Sequence, residues 1–388
     1  MKKILFFVIL VISLILGFIF YNDYRIKHAV IKVETISNLN IEVYSKIKLS
    51  DLVKSINGKL IKNKKINTSK LGKKEIKFKY INEDNIKVGY SFFINVVDTT
   101  APVISEVNVI NVYEGASDNI RKRIFCADNY DKKPKCFIEG EYDLQKAGSY
   151  NVLFKASDSF GNISTENLII NVISGGGKKE VTSTNYDDIY TRFKNKNTLV
   201  GIDISYYQGN IDFDKLKEKV DFVFLRVGYG KDRNNKYVLD NKFKEYITNF
   251  NKLKIPVGIY FFSYDESNKD ALDSASWVLK QIKKYKIDLP VVYDWENFSN
   301  FNDYKLSLFG LNDMAHTFIK KVESKGYKGM LYSSKNYLKY AWGDDYNVWI
   351  AHYNENENYE NIYKLWQICD DGKIDGINGN IDIDIMYK

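Results

Sequence analysis

From Leu199 onward the chain alternates short apolar runs with amphipathic stretches, and this alternation limits the fold more than any other feature. Leu199–Ile202, Phe222–Val227, Pro256–Phe262, Pro290–Tyr293 and Gly329–Tyr332 read as strands. Phe213–Val220, Asn241–Leu253, Asp270–Tyr285 and Leu306–Lys325 carry apolar residues at helical spacing. Three further strand-like runs, Val348–Ala351, Lys364–Ile368 and Ile381–Met386, follow with little helix between them. Alternating β and α builds a parallel sheet, and eight strands in about 190 residues predict a compact, irregular α/β barrel. Catalytic side chains in such barrels gather at the carboxyl ends of the strands.

The acidic residues fall at those ends. Asp203 closes the first strand, Asp294 and Glu296 close the fourth, and Asp382 opens the last beside Asp384. In extended chain, residues 294 and 296 project to one face, ~6.5–7 Å apart along the backbone. Burial of two like charges pushes one carboxyl pKa upward, which yields an acid and a base at one site. Cleavage of a glycosidic bond needs that pair. A solvated Asp-x-Glu is common on surfaces; here it ends an apolar run with Tyr293 and Trp295 interleaved. Aromatic residues recur at the other strand ends: Tyr206, Tyr260, Phe262, Tyr264, Tyr332, Trp349, Tyr353 and Trp366. Their flat faces suit stacking on sugars, so they and Trp295 are expected to line a cleft.

These motifs resemble the family 25 glycoside hydrolases, the Chalaropsis-type lysozymes, over about residues 198–388. Gly201-Ile202-Asp203-Ile204-Ser205-Tyr206-Tyr207-Gln208-Gly209 looks like the family's opening motif, and Val291-Val292-Tyr293-Asp294-Trp295-Glu296 like its Asp-x-Glu strand. Leu365-Trp366-Gln367 and Asp375–Asp382 look like its closing segment. The resemblance implies five β/α units followed by three strands, and hydrolysis of the β-1,4 bond between N-acetylmuramic acid and N-acetylglucosamine in peptidoglycan. It implies Glu296 as general acid, Asp294 as its partner, and Asp203 and Asp382 as groups that orient water, acetamido group or acid. Arg226 and Gln367 would position carboxylates and sugar hydroxyls. Where many members carry Lys-x-Ser/Thr-Glu-Gly after the second strand, this chain has Arg226-Val227-Gly228-Tyr229-Gly230. No metal or organic cofactor is implied. The alternative is a non-catalytic wall-binding or structural surface protein of a wall-spanning assembly.

The front half has another texture. Met1-Lys2-Lys3 precedes seventeen residues, Ile4–Phe20, interrupted only by Ser13 and Gly17. As a helix this run spans ~25 Å, enough to enter a lipid bilayer through residues 4–20. No small-x-small cleavage signal follows it, so an uncleaved signal anchor at 1–25 is expected, with a cleaved export signal as the alternative. Either reading places the rest outside the cell membrane, on the wall side.

Residues 28–174 repeat internally at an offset of 76: Gly72, Phe78-Lys79 and Ile94-Asn95-Val96 recur as Gly148, Phe154-Lys155 and Ile170-Asn171-Val172. Val97–Ile104 and Ala156–Asn162 resemble the junction and last hairpin of bacterial immunoglobulin-like repeats, which implies two all-β sandwiches, 28–98 and 99–174, acting as a stalk. Cys126 and Cys136 lie ten apart and suit a disulfide outside the membrane. Residues 175–197, opening on Gly175-Gly176-Gly177, read as a linker or lead-in before the hydrolase domain at 198–388.

The net charge of +8 is uneven: +10 over residues 1–197 and −2 beyond. The front lysines alternate with apolar residues as on solvated strand faces, and no nucleic-acid motif accompanies them. Three scattered histidines, His28, His316 and His352, argue against a histidine-rich metal site. Peptidoglycan glycan strands are the expected partner, and the residues name no protein partner.

Overall fold

The computed structural model describes residues 2–117, 119–175, 183–231, 236–354 and 358–388. The chain divides into two compact units, Met1–Thr100 and Ala101–Lys388.

The first unit begins with helix α1 (Lys2–Lys27), whose described apolar side chains are exposed. It is long and apolar enough to cross a membrane. A β-module follows, with β1 (Asn40–Glu42), β2 (Gly58–Leu60), β3 (Gly72–Asn82) and β4 (Lys87–Val97) in the order β1-β4-β3-β2. Strict alternation along β3 and β4 buries Ile76, Phe78 and Tyr80 against Val88, Phe92 and Ile94 and turns the lysines to solvent.

The second unit opens with a similar module: β5 (Val109–Tyr113), β6 (Lys135–Glu139), β7 (Gly148–Ser157) and β8 (Ile163–Ile173), in the order β6-β7-β8-β5. The β3–β4 and β7–β8 hairpins begin at Gly72 and Gly148, the offset of the sequence repeat. In both modules the first strand pairs in parallel with the last. Cys126 and Cys136 form a disulfide.

The barrel comprises β9 (Thr198–Ile204), β10 (Val223–Lys231), β11 (Val257–Phe262), β12 (Val291–Asp294), β13 (Gly329–Ser334), β14 (Val348–Ala351), β15 (Leu365–Lys373) and β16 (Ile381–Tyr387). β9 to β15 pair in parallel in sequence order; β16 runs antiparallel between β15 and β9 and closes the ring. Side-chain parity divides two cores. Phe222, Phe224, Val292, Met330, Trp349 and Leu365 fill the interior. Val291, Tyr293, Leu331, Ile350 and Trp366 face outward. There they meet α3 (Phe243–Leu253), α4 (Asn268–Ile282) and α5 (Leu308–Glu323). Gly258 makes room for the interior Phe224 ring: a Cβ there would stand 2.2 Å from it.

Of the expected linker, residues 176–182 lie outside the described residues. Thr184–Asn185 pairs with β15, and α2 (Tyr186–Phe193) buries Tyr186 and Ile189 in the barrel core. The Tyr186 hydroxyl donates to the carbonyls of Val200 and Lys219, at 3.0 and 3.1 Å. This lead-in is part of the barrel. An eight-residue helix capped by Asn185 gave too short a pattern to read.

The second module is joined to the barrel. Phe125 lies in the barrel's own core, edge-on to Phe298, Phe301 and Tyr337 at 5.4–5.6 Å. Asn302 Nδ2 donates to the Cys126 carbonyl at 3.1 Å, and Lys339 pairs with Glu106 at 2.7 Å.

Candidate active site

Strand parity builds the site. Asp203, Arg226, Tyr260, Phe262, Asp294, Tyr332, Trp349 and Gln367 share the interior parity of their strands and line one cleft at the carboxyl end of the barrel, with Glu296, Tyr353 and Asp382. The cleft has a volume of about 320 Å³. Register supplies neighbours: Asp294 lies beside Phe262 on β11 and Tyr332 on β13, and Asp203 stands opposite Asp382 across β9–β16. Directly opposed like charges destabilise a sheet, so the closing strand pair carries a cost that the fold does not require.

Two acid clusters result. In the first, Asp294 is buried and Glu296 is open to the cleft. Burial and then the Glu296 charge raise the Asp294 pKa well above the carboxylate range. Burial raises Glu296 as well, so both members of the pair are shifted upward and titrate together. In the second, Asp203, Asp382 and Asp384 crowd together. Burial is the largest cause for each and their mutual repulsion adds to it; Asp382 is pushed up to about 9.

A hydrogen-bond chain fixes the second cluster. Gln367 donates to Asp203 Oδ2 at 2.8 Å and accepts from the hydroxyls of Tyr332 and Tyr353 at 2.8 and 2.9 Å. Trp349 Nε1 donates to Asp384 at 2.9 Å. Among the described residues, Arg226 is the cation lining the cleft. Its Nε is held by buried Asp240 at 3.0 Å, its guanidinium lies 5.0 and 5.3 Å from the Tyr206 and Tyr207 rings, and its Nη2 is buried without a partner.

The structure corrects part of the aromatic expectation. Trp295 has outward parity: it is fully buried, donates to the Asp265 carbonyl at 3.1 Å and packs on Phe298. Trp366 likewise faces outward, bonded to the His352 carbonyl at 2.8 Å and edge-on to Phe193. Neither reaches the cleft. Tyr206 sits over Arg226 outside the lining residues, and Tyr264 stands edge-on to Phe262 at 5.3 Å, also outside them. Trp349 lines the cleft as an almost wholly buried floor.

Ser205, Tyr207, Gln208 and Asp370 line the cleft without having been singled out. A short 3₁₀ turn, Tyr206–Gln208, swings Tyr207 to the mouth, where it is 71% exposed. Asp370 follows a register shift in β15 that breaks the alternation by which it would have been found.

A buried carboxyl beside one open to an aromatic-floored, acid-rich barrel cleft, both with raised pKa values, is the equipment of acid-assisted glycosidic cleavage. Residues 202–377 match the family model for glycosyl hydrolases family 25, and they are a domain of that family. The uncharacterized protein YegX of Escherichia coli (strain K12) is 27% identical over 196 residues, covering 49% of this chain and 70% of that protein. The autolytic lysozyme of Clostridium acetobutylicum is 25% identical over 191 residues, 48% of this chain and 55% of that protein. Among solved structures, the modular autolysin LytC from Streptococcus pneumoniae in complex with a synthetic peptidoglycan ligand aligns with 24% identity and a TM-score of 0.45. That alignment covers 61% of this chain and 56% of that one. The chain thus spans about half the length of the lysozyme and the autolysin.

Proposed function

We propose that this chain is a membrane-held peptidoglycan muramidase that hydrolyses the β-1,4 bond between N-acetylmuramic acid and N-acetylglucosamine. The Asp294–Glu296 pair carries the reading. Glu296 is the member open to the cleft, so it delivers the proton to the departing glycosidic oxygen. Burial raises the Glu296 pKa and so favours its protonated form, and Asp294 beside it stabilises the positive charge that develops on the sugar. Asp203, oriented by Gln367, and Asp382 opposite it hold water or the acetamido group. Arg226, anchored through Asp240, lines the cleft as a cation for a substrate carboxylate or carbonyl. Tyr260, Phe262 and Tyr207 provide the ring faces.

In this reading α1 is a signal anchor that crosses the membrane once, the β-modules are immunoglobulin-like spacers, and the barrel works on the wall side. The clostridial relative's description as an autolytic lysozyme supports the substrate class. The test is digestion of purified peptidoglycan by the full chain in detergent micelles, with mass spectrometry of the released glycans. New reducing ends on N-acetylmuramic acid are expected; reducing N-acetylglucosamine, or binding without release, would overturn the assignment.

A further inference from the structure

The second β-module carries carboxylates that the cleft does not use. Asp128 follows the short strand Cys126–Ala127, and its side chain is fully buried. Its Oδ1 accepts the backbone N–H of Tyr130 at 2.8 Å and of Asp131 at 2.6 Å, while its Oδ2 has no partner. A carboxylate oxygen of Asp158, in the β7–β8 turn, lies within 4.8 Å of one of Asp128. Asp158 Oδ1 is itself fixed by the N–H groups of Phe160 and Asn162, both at 2.9 Å. Asp131 ties the two loops together, since its Oδ2 accepts the Ser159 N–H at 2.8 Å. Among the described residues no lysine or arginine pairs with any of the three.

A buried carboxylate with one unanswered oxygen beside two more acids is costly unless a proton or a cation answers it. Calcium binds oxygen at about 2.3–2.6 Å, so two oxygens on one ion stand at most about 5 Å apart, and the Asp128–Asp158 spacing meets that limit. The donors are hard oxygens without thiol or imidazole, which selects calcium over zinc or copper.

We propose that Asp128 and Asp158 bind one Ca²⁺, with Asp131 adding charge and joining the loops, and that the ion fastens the second β-module to the barrel. The fastening follows from the backbone of the same loop. The Asp128 carbonyl accepts the N–H of Leu308, the first residue of α5, at 2.8 Å, and the Asn129 carbonyl accepts that of Phe309 at 3.4 Å. An ion on the Asp128 side chain therefore stiffens the loop that holds the barrel. This site is structural, stands apart from the cleft, and does not rest on the proposed activity.

The test uses the full chain in detergent micelles, stripped with chelator and titrated with ⁴⁵Ca²⁺. One ion per chain is expected, and no saturable binding would overturn the site. Ca²⁺ at about a hundred times its Kd should raise Tm by about 5 °C. An equal rise with Na⁺ at matched ionic strength would overturn the proposal in favour of screening. Asp158→Asn should abolish the binding while the chain remains folded by circular dichroism; retained binding would place the ion elsewhere. Hydrogen exchange at the amides of Leu308 and Phe309 reads the fastening: Ca²⁺ should slow it about tenfold or more in the native chain. Unchanged exchange with the ion bound would overturn the role at the joint.

Discussion

The two acid clusters at the end of the barrel are built from the same residue type and differ in what surrounds them. Asp294 and Glu296 lie two apart at one strand end, one buried and one open to the cleft, and both have raised pKa values. Asp203, Asp382 and Asp384 are drawn together from β9 and β16, and their hydrogen bonds run back into Gln367 and Trp349. The first cluster can pass a proton to something outside the protein. The second is held in place by hydrogen bonds from Gln367 and Trp349, and its raised pKa values favour the protonated forms. Carboxylate identity therefore says less than access.

Substitutions sharpen that contrast, beginning with the open cluster. Glu296→Gln should lower kcat on peptidoglycan by about 10²–10⁴, the usual contribution of a positioned acid. The measurement is turbidity clearance of cell walls alongside circular dichroism. Asp294→Asn should cost about tenfold to a hundredfold. It should also collapse the alkaline limb of the pH–rate profile, which reports a coupled pair in the native chain, to a single ionisation.

The closed cluster should respond chiefly in stability. Its carboxyl pKa values are raised in the folded state, so its contribution is fully present below the unfolded value of about 4 and is lost as pH rises through the folded values. With Asp382 at about 9, Tm should fall between about pH 5 and pH 9. Asp384→Asn should flatten that fall, read by calorimetry across the range; an unchanged slope would break the comparison. The smallest kinetic effect belongs to the outward tryptophans. Trp295→Phe and Trp366→Phe should cost about 1–3 kcal/mol of stability, seen in denaturant unfolding, with KM for glycan fragments unchanged.

Much of this was legible in the sequence. The β/α alternation announced the barrel, and the two-residue spacing of Asp294 and Glu296 placed both carboxyls on one face. The same parity sends Trp295 to the opposite face, as it does Trp366 between Leu365 and Gln367, so closeness in sequence to site residues does not put a ring in the cleft. Asp370 was hidden by the irregular register of β15. The joint through Phe125 had no local signature, because a single aromatic beside a cysteine becomes a core residue only when Phe298, Phe301 and Tyr337 arrive from more than 170 residues away. The expected stalk is, in its second module, part of the barrel's support.

The central claim is that Glu296 protonates the leaving oxygen, and a substrate that needs no such proton tests it most directly. Wild type and Glu296→Gln would be compared on glycan strands and on an aryl glycoside with an acidic phenol as leaving group. The account predicts a loss of about a thousandfold on glycan and less than about tenfold on the aryl glycoside. Equal losses on both would contradict it and give Glu296 another role in the cleft.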